Sequence, residues 1–121
     1  MSETARNFVE ICLYEVKADK TDEFEALVRR VAAHHRAVKG VCDVRYMRRT
    51  HRAGDFEAVK QGKPSVPLVR ASKTVTYVLY WELDDASVHG RATKSGLEQF
   101  YREFRRCLVT APKILLGTRI E

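Results

Sequence analysis

Ten residues, Thr74 to Leu83 (TVTYVLYWEL), constrain the fold more than any other part of the chain. They hold no turn former and consist almost wholly of β-branched, aromatic and aliphatic types, which predicts a strand. Side chains alternate along a strand. Val75, Tyr77, Leu79 and Trp81 therefore line one face, and Thr76, Val78 and Tyr80 the other. Phe8 to Lys17 (FVEICLYEVK) repeats the pattern, with Val9, Ile11 and Leu13 on one side and Phe8, Glu10, Cys12 and Tyr14 on the other. Strands that are apolar on both faces belong at the centre of a sheet covered on both sides.

The covering elements are legible too. Phe24, Leu27, Val28, Val31 and Val38 make a stripe at helical spacing, extended by His34 and His35. Asp22 and Glu25 have capping-box spacing, Thr21 is an alternative cap, and Gly40 is placed to end the helix. Leu97, Phe100, Tyr101, Phe104 and Leu108 make a second stripe. Ser95 and Glu98 predict its start, and Pro112 its stop. Asp84 or Asp85 caps a separate short turn, Ala86 to His89, interrupted at Gly90. Val41 to His51 reads as a further strand, with Cys42, Val44 and Tyr46 on one face and Asp43, Arg45, Met47 and Arg49 on the other. Ile114 to Glu121 is the last strand.

The order is strand, helix, strand, strand, helix, strand. This is the split βαβ pattern of an α+β, ferredoxin-like βαββαβ domain, an antiparallel sheet with two helices on one face. Two helices cover only one face. The other must meet something, and a second copy of the same sheet is the simplest partner, which predicts a homodimer.

A length of 121 residues suits one domain spanning 1–121, with the irregular segment 51–72 as an insertion. That segment carries Pro64, Pro67, Gly54 and Gly62; Asp55 to Gln61 could form a short helix stopped by Gly62. A loop of this length is often functional, which suggests a lid over a site or an arm across a dimer. The formal net charge is +6. Much of it sits near this loop, in Arg45, Arg48, Arg49, Arg52, Lys60, Lys63, Arg70 and Lys73. A second group is Arg102, Arg105 and Arg106. No aromatic–basic RNA motif or helix-turn-helix pattern accompanies either group, so an anionic small molecule or a solvated rim explains the charge better than nucleic acid. Cys12, Cys42 and Cys107 follow no metal or redox spacing and read as buried, reduced thiols. No apolar run reaches the ~20 residues of a membrane span. The polar stretch Met1 to Asn7 lacks a signal-peptide core, so a cytoplasmic location is expected.

Tyr80-Trp81-Glu82, Asp84-Asp85-Ala86, His89, and Phe100 with Phe104 together resemble the antibiotic biosynthesis monooxygenase (ABM)-like domain of the dimeric α+β barrel superfamily. The resemblance covers about residues 8–50 and 73–120. It implies a dimeric α/β barrel and a pocket between sheet and helices. It also implies a cofactor-independent monooxygenase of secondary metabolism, an oxidoreductase acting on an aromatic, quinol or polyketide-like compound. Related barrels include cyclases, isomerases and dehydratases that work without O2, and others have no known reaction, so a non-catalytic ligand-binding or dimeric structural protein is a further alternative. A haem-degrading branch uses a strand Asn, a Trp and a His. Trp81 could fill the Trp role, but Asn7 precedes the first strand, so haem is the less favoured cofactor and none is expected.

Each candidate residue has a plain reading beside a functional one. Trp81 is either core or a flat wall for an aromatic ring whose N–H orients a carbonyl. His34, His35 and His89 are either hydrogen-bonded boundary residues or the acid–base groups that take a phenolic proton. Tyr14, Tyr46 and Tyr77 suit strands and could also donate to a substrate oxygen. Phe100 and Tyr101 would shape the pocket, and Arg48 could grip a carboxylate or phenolate. No metal site is expected, since no ligand spacing accompanies the histidines.

Overall fold

In the computed structural model, which describes residues 7–70 and 72–121, the chain folds in the order expected. The elements are β1 (Phe8–Lys17), α1 (Thr21–Arg36), β2 (Val41–Arg48), β3 (His51–Arg52), α2 (Phe56–Lys60), β4 (Val66–Pro67), β5 (Thr74–Leu83), α3 (Ala86–Cys107) and β6 (Lys113–Thr118). The polar segment before Asn7 lies outside the described residues. Among the described residues no helix is long and apolar enough to cross a membrane.

The main sheet is antiparallel with order β2-β5-β1-β6. The two strands with two apolar faces are its two central ones. Cys12, Tyr14, Val16, Tyr77, Leu79, Trp81 and Leu83 are buried beneath the helices, against Phe24, Leu27, Val28 and Val31 of α1 and Ala92 and Phe100 of α3. Removing Phe24 or Leu27 from water contributes about 1.5–3 kcal/mol each. On the opposite face Ile11, Val78, Leu13, Met47 and Leu115 share one surface by register, and Leu115, Met47 and Leu13 remain exposed.

Four local expectations change. Residues 86–107 form one helix, not a short turn and a later start at Ser95. Asp85 caps it, its side chain accepting from the Val88 N–H. Gly90 faces open space, so it costs the helix only about 1 kcal/mol against alanine and does not break it. Helix α1 ends at Arg36, and no side chain caps its start: a 3-10 turn, Ala18–Lys20, leads into it instead. Gly40 lies in the following turn with φ +97°, where a Cβ would meet Val88 Cγ2 at 2.9 Å. Finally, Cys42 is exposed rather than buried, because the β2–β5 register shifts between Val41 and Asp43 and displaces it from the inner face. Its thiol donates to Asp84 Oδ1 at 3.3 Å.

The insertion folds as a small hairpin of β3 with β4 around α2, pinned by the Leu68 N–H on the Thr50 carbonyl. Gly62, with φ +90°, follows α2 as its spacing suggests.

The two possible starts of the last long helix are separable by mutation. Asp85→Ala should lower the unfolding free energy by about 1 kcal/mol. Glu98→Ala, exposed in mid-helix, should change it by less than about 0.5 kcal/mol. Urea titration followed by circular dichroism measures both.

Candidate functional site

Strand register builds one wall of a cavity. Glu10 pairs with Trp81 and Cys12 with Leu79 across β1 and β5, and Val44 and Tyr46 of β2 meet Trp81 and Leu79 from the other side. These inner-face side chains lie under α1 and α3. Along α3, Thr93, Gly96, Leu97, Tyr101, Phe104 and Arg105 recur at three- and four-residue steps and form the opposite wall. Residues 108–112 and Ile114 complete a cavity of about 590 Å³. Its rim residues Leu97, Tyr101, Val109 and Ile114 are each about half exposed, so the cavity opens between α3 and β6.

Trp81 and His35 form its closed end. Their rings stack at 4.1 Å between centroids, 8° from parallel. The imidazole fits because position 96 is glycine: a Cβ there would stand 2.7 Å from His35 Nε2. Burial drives the His35 pKa down to about 4, helped by the neighbouring His34 and His89 and opposed by the Ala92 carbonyl. That carbonyl is outside hydrogen-bonding geometry, and both His35 ring nitrogens lack a partner. Also buried without a partner are Trp81 Nε1, the Tyr46 hydroxyl and Thr93 Oγ1. All four of these residues line the same cavity.

His89 lies behind this wall. Its Nε2 is 2.6 Å from Glu10 Oε1, and its ring packs at 4.9 Å from Phe8 and 5.1 Å from Trp81. Glu10 itself lines the cavity. The site thus contains a buried carboxylate–imidazole pair that the sequence reading had only half identified. Burial raises the Cys12 thiol to about 11, and raises the Tyr14 and Tyr46 phenols above their ordinary value.

Of the residues singled out from sequence, His35, Trp81, Tyr14, Tyr46 and Tyr101 line the cavity. His34 does not: it bonds Ser95 Oγ at 2.8 Å between the helices and stands edge-on to Phe100. Phe100 is likewise buried between α1 and α3, with the Arg30 guanidinium 5.8 Å from its ring. Tyr77 and Arg48 converge elsewhere. Both bond Glu25 beside a separate cleft of about 320 Å³, Arg48 at 2.9 Å. The Tyr77 hydroxyl there holds the Glu25 carboxyl below its ordinary value, aided by Arg48. Tyr77 pairs directly with Tyr14 but packs toward α1, against Phe24 and Glu25, away from the side where α3 and β6 bound the cavity.

The insertion is not a lid over this cavity within one chain: no described residue of 51–72 lines it. Arg49, Thr50, Leu68, Arg70 and Ser72 border another cleft, with Arg48 and the start of β5. Asn7 donates to Glu82, whose carboxylate also receives Tyr80 and Arg119. Glu82 alternates with Trp81 and so sits on the uncovered face, which removes Asn7 from the cavity. Asn7 and Trp81 thus belong to opposite faces of the sheet. Among the described residues no cluster of three or more His, Cys, Asp or Glu could hold a metal ion. Glu10, Thr93 and Arg105 complete the site. Glu10 was visible as an acid on the buried face of a central strand, whereas Thr93 was hidden by the misplaced helix start.

No protein-family model and no curated protein sequence matches the chain. Solved structures share its fold. A proposed antibiotic biosynthesis monooxygenase from Nitrosomonas europaea superposes with a TM-score of 0.72 at 13% identity, over 99% of this chain and 96% of that one. SnoaB from Streptomyces nogalater, a cofactor-independent oxygenase, gives 0.65 at 16% identity over 95% and 94%. A proposed antibiotic biosynthesis monooxygenase from Bordetella bronchiseptica gives 0.65 at 14% identity over 96% and 99%. The architecture is thus that of ABM-like proteins, as the sequence resemblance implied.

Burial of a neutral His35 has a thermodynamic signature. Its folded pKa of about 4 lies below the ordinary value of 6.5, so the unfolded chain binds the extra proton first. Stability is then unaffected above pH ~6.5 and falls as pH drops from ~6.5 toward ~4, by an amount of order 3 kcal/mol. Denaturant titrations across this range should show the slope, and His35→Gln should flatten it.

Proposed function

We propose that the chain is a small-molecule enzyme, a monooxygenase acting on an aromatic, quinol or polyketide-like substrate without a metal or flavin of its own. One observation carries this reading: partnerless polar atoms of His35, Tyr46, Trp81 and Thr93 gather on a single, mostly apolar cavity. Each buried polar group left unpaired costs about 1–3 kcal/mol. A ligand that offers oxygen substituents at those points and flat apolar surface between them recovers that cost. The fold shared with a cofactor-independent oxygenase supports the same reading.

In this reading the Trp81–His35 stack is the flat wall at the closed end. The Trp81 N–H and the Tyr46 and Thr93 hydroxyls donate to substrate oxygens, and Tyr46 remains protonated because burial raises its pKa. His35 is a neutral spacer, since a pKa near 4 makes it a poor proton acceptor near neutrality. Leu97, Tyr101 and Phe104 cover the rest of the ring system, and Arg105 at the rim faces any anionic substituent. Loss of a phenolic proton leaves an electron-rich anion able to react with O2 directly.

The uncovered sheet face supports a homodimer. Ile11, Leu13, Met47, Val78 and Leu115 present contiguous apolar surface there, and a second sheet would bury it.

Two experiments test these readings. With metal removed, the protein should consume O2 in the presence of a hydroquinone or anthrone from a small panel. Trp81→Phe, which keeps a ring but loses the N–H, should lower kcat/KM several-fold, about 1 kcal/mol of transition-state binding. Unchanged product formation without air would move the assignment to a cyclase, isomerase or dehydratase. Light scattering should give twice the 13.9 kDa of one chain, and Leu115→Asp should halve it.

A further inference from the structure

We propose that Glu10 is the acid–base residue of this cavity, accepting the proton of a bound phenol, and that His89 is a positioning residue acting through it. The proposal rests on the aromatic-ligand reading above and adds the group that moves the proton.

Glu10 sits in the middle of β1 on the buried face, only 7% exposed, directly across from Trp81. A carboxylate does not persist among Cys12, Tyr14 and Trp81 without a partner. Among the described residues its side chain has one, His89, at 2.6 Å. His89 is set by the first turn of α3 and by Phe8 and Trp81 packed on its ring. Its N–H on Oε1 leaves the other carboxylate oxygen free of described partners. Glu10 lines the cavity and His89 does not, so a ligand meets the carboxylate first.

Elimination points to the same group. Every other titratable side chain facing Glu10 is uncharged near neutral pH. Burial holds the Cys12 thiol at about 11, raises Tyr14 and Tyr46, and lowers His35 to about 4. His34 is occupied by Ser95 between the helices, and Arg105 stands at the rim. Among the described residues this leaves the Glu10–His89 pair, whose carboxylate borders the cavity. The step is a simple transfer. The ligand O–H bond breaks, its electron pair stays on oxygen as phenolate, and the proton forms a new bond within the carboxylate–imidazole pair. Net charge is conserved, and no oxidant takes part.

A hydroxyanthraquinone dye, whose visible band moves to longer wavelength on ionisation, reads this step without turnover. It is mixed with the full chain at a pH well below its ionisation in water. Wild type should bind it and show the phenolate band. Glu10→Gln, nearly isosteric, should bind it comparably but reduce the ionised fraction by about tenfold or more, and Glu10→Asp should restore part of it. His89→Asn should move the pH at which the bound dye ionises while leaving its affinity nearly unchanged. A bound dye that stays neutral in wild type, or stays ionised in Glu10→Gln, overturns the assignment and leaves the cavity reading intact. A wild-type protein that binds no such dye removes the cavity reading and this proposal together. Thermal melts identify any variant that fails to fold, and the Glu10→Asp and His89→Asn arms then decide.

Discussion

The pairing of β1 with β5 is the contact on which the rest of this molecule depends. It runs unbroken from Phe8 opposite Leu83 to Lys17 opposite Thr74. Because side chains alternate, one register decides two surfaces at once. A slip of one residue would carry Trp81, Leu79 and Tyr77 to the uncovered side and bring Glu82 and Tyr80 under the helices. Both halves of that exchange are costly: large apolar area would be lost to water, and the Glu82 carboxylate would leave Asn7, Tyr80 and Arg119. The same register sets Glu10 beside Trp81, so the chemistry of the cavity follows from the packing of the sheet.

The electrostatic character of the cavity follows from that packing too. Burial pushes Cys12, Tyr14, Tyr46 and His35 toward their uncharged forms, the thiol and phenols upward and the imidazole downward. The outcome is a chamber of neutral donors and acceptors with one carboxylate–imidazole pair at the closed end and one guanidinium at the mouth. In low dielectric, fixed dipoles act more strongly than they would in water. A ligand that places its oxygen atoms against Trp81, Tyr46 and Thr93 finds these dipoles already oriented.

Much of this was legible beforehand. The limits of β1 and β5 came directly from their composition, and the antiparallel sheet with helices on one face followed from the order of elements. The helix beginning at Ala86 was misjudged because a good capping pair, Ser95 and Glu98, lay inside it, and local capping preference is weaker than a packed face continued across Gly90. Cys42 was misjudged because a bulge is invisible to an alternating pattern. In the site, His35 and Trp81 were anticipated from their faces. His34 was not separable from His35, since neighbours about 100° apart on a helix differ only in what the opposing helix offers. Tyr77 and Phe100 share a face or a stripe with site residues, yet pack toward α1, which periodicity does not encode. Glu10 was overlooked as a functional group because one acid in an apolar strand gives no sign of which residue, 79 positions later, will meet it.

Gly96 carries a last consequence. A single absent methyl group lets the His35 ring lie between α3 and Trp81, and so settles how near the two long helices come at that level. The side chains that bound the opening, Leu97, Tyr101 and Arg105, come after it on α3 and touch neither His35 nor Glu10 in any described ring contact or hydrogen bond. Breadth of the entrance and chemistry of the interior are thus governed by different stretches of one helix. Such a division lets a scaffold change which molecules it admits, by substitutions near the rim, while the groups waiting inside stay where they are.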